Sequence, residues 1–185
     1  IGFAVVGVLV GVLTSIYTIK AEEVGVVLRF GKYQSTQQPG LHFKLPFFIE
    51  KVEKVAVLRQ QQQEYGVGTP KNTNRPQWSG ESEQEKEKKM VTGDLNAARV
   101  DWVIQYRITE PRDYLFMVKD AESTLRNASE SVMREVVGDR TVDEVITIGR
   151  QDIETDSLEK LNALVKKYKL GVSIDQIQLK DVKPP

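Results

Sequence analysis

The stretch RVDWVIQYRI, residues 99–108, alternates between apolar and polar positions along its length. Val100, Trp102, Ile104, Tyr106 and Ile108 fall on one face, while Arg99, Asp101, Gln105 and Arg107 fall on the other. A two-residue period of this kind belongs to a strand that buries one face. Such a strand needs a cover, and the residues that follow supply one. Pro111 opens a short helical turn around Asp113–Met117. From Ala121 the period lengthens: Ala121, Leu125, Ala128, Val132 and Val136 recur at helical spacing, with Asp120 as N-cap and Gly138 as the stop.

Further on, Thr141-Val142-Asp143-Glu144 has the spacing of a capping box and predicts a short helix ending near Gly149. A longer helix is expected from Arg150, with Leu158, Leu161, Val165 and Tyr168 as its apolar stripe, closed by Lys169 and Gly171. The final segment, VSIDQIQLKDV (172–182), puts Val172 and Ile174 in one phase and Ile177 and Leu179 in the other. A β-bulge between the two pairs would reconcile them.

Upstream, EVGVVLRFGK (23–32) reads as a half-buried strand, with Val24, Val26, Leu28 and Phe30 inward and Gly25, Val27 and Arg29 outward. Pro39-Gly40 predicts a turn. In LHFKLPFFI (41–49), Pro46 argues against an uninterrupted central strand. Its apolar residues are read as core, because scattered aromatics pack in cores more often than they enter lipid; the alternative places Phe43, Phe47 and Phe48 at a membrane interface. A third extended segment runs from Lys51 to Glu64 and includes the glutamine run Gln60–Gln63. Residues 66–89 are almost wholly polar, apart from Val67 and Trp78, and carry Pro70 and Pro76; they read as a loop or unfolded insertion. Strands early, helices later and one returning strand make an α+β domain.

Residues 1–19, IGFAVVGVLVGVLTSIYTI, contain no ionisable side chain, and eleven of them are Ile, Leu, Val or Phe. As a helix they would extend roughly 28 Å, close to the ~30 Å of a bilayer's hydrocarbon core. The expectation is a single transmembrane helix over 1–20. No small-x-small cleavage site follows, which favours an anchor over a signal peptide. Gly7 and Gly11 form a Gly-x-x-x-Gly pair that would let a second helix approach. The chain starts at Ile1 rather than Met, so a preceding segment is expected.

All 26 basic and 26 acidic residues lie after this stretch, for zero net charge. A phosphate-binding surface normally carries a basic excess, so nucleic acid is not an expected partner. Cysteine is absent, and His42 is the only histidine. That leaves no thiol nucleophile and no usual zinc set. No Gly-x-Ser-x-Gly elbow, dinucleotide fingerprint or P-loop occurs. The acidic clusters Glu22-Glu23 and 81–85 lack the ligand spacing of a calcium loop. No catalytic, metal or cofactor site is expected, and binding, scaffolding or assembly is.

VGVVLRFGKY (24–33) with PGLHFKLPF (39–47), TGDLN (92–96) with VDWVIQYRITEPRDYLF (100–116), and LRNASESVMREVVGDRTVDEV (125–145) together resemble the SPFH or Band 7 domain of stomatins, prohibitins and flotillins. The blocks YLFMVKDAESTLR (114–126), DRTVDEVITIGR (139–150) and QLKDVKPP (178–185) favour the branch that works with a bacterial membrane protease. Leu95 departs from the family, which often has an acidic residue there. The resemblance implies a mixed sheet near the membrane, a helical second half, a β-rich part over 21–89 with the 66–89 insertion, an α/β part over 90–185, and a coiled-coil helix after Pro185. It also implies a periplasmic domain on a single-pass inner-membrane anchor. The partners would be HflC-like subunits and the FtsH protease, in a large hetero-oligomeric cage that controls substrate access. A stomatin-like organiser of lipid domains and a membrane-bound hydrolase are the rival readings.

Overall fold

The computed structural model describes residues 15–45, 49–66, 89–146 and 149–183. In order these form β1 (Ile16–Ile19), β2 (Glu23–Arg29), β3 (Lys32–Gln37), β4 (Gly40–Phe43), β5 (Glu50–Ala56), β6 (Gln61–Tyr65), β7 (Lys89–Val91), β8 (Ala97–Ile108), α1 (Pro111–Phe116), α2 (Ala121–Gly138), α3 (Val142–Ile146), α4 (Arg150–Lys167) and β9 (Val172–Lys183). The class is α+β, as the pattern of elements required. The mixed sheet that was expected is corrected to three sheets whose pairings, among the described residues, are all antiparallel.

β8 is the central strand of the largest sheet. β6 and β7 pair with it at 102–106 and 97–99, and β9 runs along it from Arg99 to Ile108. Its inward residues Val100, Trp102, Ile104, Tyr106 and Ile108 are all at most 3% exposed. α2 covers them with Leu125, Ala128, Val132, Met133 and Val136, each buried. The Trp102 indole Nε1–H donates to Ser129 Oγ at 3.0 Å, which pins helix to sheet. Trp102 also stacks on Tyr65 at 4.6 Å between centroids, and the Arg126 guanidinium lies 4.7 Å above Tyr65. Buried aromatic pairs of this kind add about 0.5–1.5 kcal/mol to what their area contributes.

The glutamine run is part of this packing. Gln61, Gln63 and Tyr65 stand opposite Tyr106, Ile104 and Trp102 on the inner face. Gln63 accepts the Tyr65 hydroxyl at 2.8 Å and donates to the Glu122 carbonyl at 3.3 Å, while Gln61 accepts the Tyr106 hydroxyl at 3.1 Å. The extended segment 51–64 is therefore two strands rather than one: β5 pairs with β2, and β6 with β8.

The helix signals act as expected. Asp120 accepts the Ser123 amide at 3.0 Å, and Thr141 and Glu144 exchange the two bonds of the capping box at 2.9 and 3.4 Å. The stripe on α4 is corrected: Ile153, Ser157, Leu161 and Val165 are buried, whereas Tyr168 is 49% exposed. Leu158 is partly buried against the core, and Ser157 beside it lies under the neighbouring helix, where its hydroxyl faces the Met133 sulfur at 3.9 Å.

β9 carries the expected bulge and a second one. Its register slips at Asp175 and again at Lys180, so Val172, Ile174, Ile177, Leu179 and Val182 all reach the core. Arg107 clamps the first bulge by donating from Nε and Nη2 to the Asp175 carboxylate, at 2.8, 2.9 and 3.2 Å. On the outer edge of β9, Asn162 of α4 bonds both the amide and the carbonyl of Ile174, at 3.0 and 3.1 Å, and Glu154 accepts the Leu179 amide at 2.7 Å. The helix thereby occupies backbone groups that an open strand edge would offer to another chain.

β2 is buried on both faces, contrary to the half-buried expectation: Val24, Val26, Val27 and Leu28 are all at most 9% exposed. The polar strand β3, which has no apolar alternation to announce it, pairs with one edge of β2 and β5 with the other. Val26 and Val55 belong to the same core cluster as the β8 face.

Residues Ile16–Ile19, assigned to a membrane helix in the sequence reading, form a strand paired with β4. Ile16, Tyr17, Thr18 and Ile19 all favour extended backbone, and β4 supplies the ladder. Residues 1–14, with Gly7 and Gly11, and the insertion 67–88 lie outside the described residues. Among the described residues, no helix is long and apolar enough to cross a membrane.

Ile104→Ala should destabilise the fold by about 2–5 kcal/mol in urea unfolding, and Gly171→Ala by about 2 kcal/mol or more, because Gly171 has φ +71° and a Cβ there would clash with the backbone of Glu110 and Tyr114. Leu41→Ala, at a 61% exposed position, should stay within about 0.5 kcal/mol.

Candidate membrane-facing end

The chain enters the described region at Ser15, whose carbonyl accepts the Lys44 amide at 2.7 Å. Ile16 then stands opposite Phe43, and Thr18 opposite Leu41. Directly opposed residues share a face. That face is apolar and bare: Ile16 is 47%, Leu41 61% and Phe43 73% exposed. The other face turns inward, with Tyr17 against His42 at 5.8 Å between rings and Ile19 packed over Gly25. The core placement expected for Leu41, Phe43 and Leu45 is thus corrected. A two-stranded ladder has only one face against the domain, and the inward side is taken by Tyr17, His42 and Ile19.

A second apolar side chain stands at the same end. β2 and β3 are joined by Phe30-Gly31 alone, with Arg29 opposite Lys32. Both loop residues have positive φ, +49° and +80°, as a type I′ hairpin turn requires. Asn-Gly is the usual choice there; a bulky L-residue in this region costs roughly 1–2 kcal/mol. Phe30 is 81% exposed, so packing within the domain does not offset that cost. Its expected inward position is corrected: the strand ends at Arg29, and Phe30 is the first residue of a two-residue turn whose sequence carries only Gly31 of the usual hairpin signal.

Glu50 ties the two features together. One carboxylate oxygen accepts Arg29 Nε and Nη2 at 3.1 and 2.8 Å, and the other accepts the Leu45 amide at 2.9 Å. The Phe30 amide donates to the Ile49 carbonyl at 3.0 Å. Phe30, Leu45, Phe43 and Ile16 therefore crowd one end of the domain, where the apolar N-terminal run joins it. Phe47 and Phe48 lie outside the described residues. The Leu45 amide, with Arg29 second, holds the Glu50 carboxyl below its ordinary range.

Elsewhere the residues considered for chemistry are engaged within the fold. His42 Nε2 is bonded to the Gln38 carbonyl at 2.7 Å. A shallow cleft lined by Val136, Asp139, Arg140, Glu144, Asp156 and Lys160 holds matched charges: Arg140 pairs with Asp156, and Lys160 with Glu135 at 2.6 Å. Asp94 caps α3 through the Val142 amide at 3.2 Å and accepts Thr92 Oγ1 at 2.6 Å. Among the described residues, no group of three or more His, Cys, Asp or Glu could hold a metal.

Residues 17–185 match the family model described as SPFH domain / Band 7 family. The chain belongs to that family. It is similar to Protein HflK of Treponema pallidum, with 38% identity over 180 residues covering 96% of the chain and 54% of the relative. Against Protein HflK of Haemophilus influenzae the identity is 32%, covering 97% and 38%. The Escherichia coli relative, named Modulator of FtsH protease HflK, is 32% identical, covering 96% and 37%. The chain thus spans about half or less of the length of these HflK relatives. The apolar end is built from β1, the β2–β3 turn, β4 and the residues that follow β4.

The pH dependence of the Glu50 link has a definite sign. Its folded pKa lies below the ordinary 4.5, so the stabilisation is complete above that value and is lost as pH falls through the lowered one. Glu50→Gln should cost about 1 kcal/mol at pH 7, and its stability should converge with that of the parent chain in acid, as followed by denaturant unfolding at a series of pH values.

Proposed function

We propose that this chain is the membrane-proximal part of a non-enzymatic scaffold that regulates the FtsH protease. In this reading it assembles with HflC-like subunits into a closed cage, and the cage controls which membrane-protein substrates reach the protease. The observation that carries the proposal is similarity along nearly the whole chain to HflK proteins, one of which is named a modulator of FtsH.

The apolar end supports a place at a bilayer. An anchor within the N-terminal run ends before Ile16, where the strand begins. The domain then starts with no linker, and Ile16, Leu41, Phe43 and Leu45 face the headgroup region, with Phe47 and Phe48 as further interface residues and Gly7 and Gly11 as helix contacts. A single-pass anchor in a bacterial inner membrane, with the domain periplasmic, follows from this reading. In the proposed domain organisation, 21–89 is a β-rich part with the polar insertion 66–89, and 90–185 an α/β part; sheet membership moves β6 to the second of these. The mechanism is steric: a short junction sets the height and tilt of each domain, and neighbouring domains form a wall.

Affinity purification from solubilised membranes, followed by particle imaging, should recover a large assembly that contains both an HflC-like subunit and FtsH. Elution as a monomer, with protease turnover of membrane substrates unchanged on deletion, would overturn the proposal. A lipid-domain organiser would instead co-purify with lipid and no protease.

A further inference from the structure

We infer that the open face of the β8 sheet, at the end marked by Lys89, Val91, Leu95 and Arg99, docks onto the acidic α2–α3 corner of the neighbouring SPFH domain; this rests on the scaffold reading above. The contact is heterologous, sheet face to helix corner, so each subunit offers both surfaces and the same contact repeats along the wall.

The first observation is where the two surfaces lie. β8 buries one face under α2, and its other face is open: Lys89, Val91, Arg99, Gln176 and Gln178 are exposed. The turn from Thr92 to Asn96 abuts the α2–α3 corner, since the Gly93 amide donates to the Arg140 carbonyl at 2.8 Å and the Val142 amide to Asp94 at 3.2 Å. Open sheet face and helix corner therefore stand at one level, on opposite sides of the sheet. A second domain of this fold, displaced along the sheet normal, brings one against the other.

The second observation is charge. Lys89 stands directly opposite Arg99, and like charges in that position disfavour the ladder. Neither has an ion pair among the described residues, although Asp101 and Asp181 occupy the next row on that face. At the corner, Arg140 pairs with Asp156 and Lys160 with Glu135, which leaves Asp139 and Glu144 without an ion pair among the described residues. A cationic row on one side and an acidic remainder on the other give the contact both attraction and direction.

The third observation is a pair of bare apolar side chains beside the cations. Val91, opposite Ala97, is 61% exposed. Leu95 is 87% exposed and holds φ +62°, a left-handed conformation that disfavours its side chain. Thr92 fixes the turn: its carbonyl accepts the Leu95 amide at 3.0 Å, and its amide donates to the Asn96 carbonyl at 2.9 Å. Strain kept without internal packing points to a contact outside the domain. An apolar centre edged by charge has the make-up of a protein interface.

The test uses the full-length protein in its own membrane, with photoreactive p-benzoylphenylalanine in place of Val91, and maps each adduct by mass spectrometry. The expected result is an adduct to the α2–α3 corner of an adjacent SPFH subunit. Its yield should fall about tenfold in the Lys89→Glu/Arg99→Glu variant, and fall as salt is added before irradiation.

An adduct joining position 91 to position 91 of a second copy would make the contact isologous and overturn the inference, as would an adduct to any other surface or to a protein of another fold. Where no adduct forms, the size of the solubilised assembly separates the two failures. A large assembly overturns this contact and leaves the scaffold reading standing, whereas a monomer overturns both. An unchanged yield in the Lys89→Glu/Arg99→Glu variant overturns the charge-directed contact. Lys89→Gln/Arg99→Gln, which relieves the like-charge pair, should keep or raise the thermal midpoint. A clear fall would mean that the pair serves the fold, and would sink the inference without cross-linking.

Discussion

The apolar face of β8 has to be buried, and the rest of the domain is arranged around that requirement. Five alternating side chains, from Val100 to Ile108, present a surface that the helices close off from water, in a sheet completed by β6, β7 and β9. Burying large side chains of this kind contributes about 1.5–3 kcal/mol each, more than any of the exposed ion pairs contributes. β9 shows the force of the constraint. Its sequence is out of phase with an inward-facing strand, so it bulges at Asp175 and at Lys180 rather than expose Ile177 and Leu179. Arg107 and Asn162 then satisfy the charge and the backbone groups next to the first bulge.

Through Val26, Val55 and Tyr33 the β3-β2-β5 sheet shares this core, and Arg112 of α1 lies 5.3 Å over the Tyr33 ring. The apolar end is thus connected to the packed centre by buried contacts rather than by a tether. Within that end, Glu50 joins the hairpin tip to the segment after β4. In the proposed scaffold role this connection would matter more than any single exposed side chain, because a wall needs a fixed height and tilt. The exposed residues Ile16, Leu41 and Phe43 lie on a paired ladder, which limits how far they can turn away from one another.

Much of this was legible in the residues. The two-residue period of 99–108, the helical period from Ala121, the Asp120 cap and the Thr141–Glu144 box are local signals, and each maps to the element it predicted. The phase break in 172–182 announced a bulge, although only one of the two. Other features left weaker traces. β3 is a strand because β2 gives it a ladder, and its own residues are polar. The Gln60–Gln63 run looked featureless, yet Gln61 and Gln63 take tyrosine hydroxyls across the sheet, a role set by register and invisible to composition.

By itself the sequence determined the α+β class, the central strand, the caps and stops of the helices, the ordered family blocks and the absence of cysteine chemistry, because each rests on spacing within a few residues or on composition. Only the tertiary structure decided which apolar residues are left outside. Leu41, Phe43 and Phe30 have the composition of a core, but the ladder partner of β1, the inward-facing Tyr17 and Ile19, and the two-residue turn at Phe30-Gly31 put them on the surface. Hydrophobicity is a property of a side chain, whereas burial depends on which side of a pairing that side chain falls, and pairing joins residues that lie far apart in the chain.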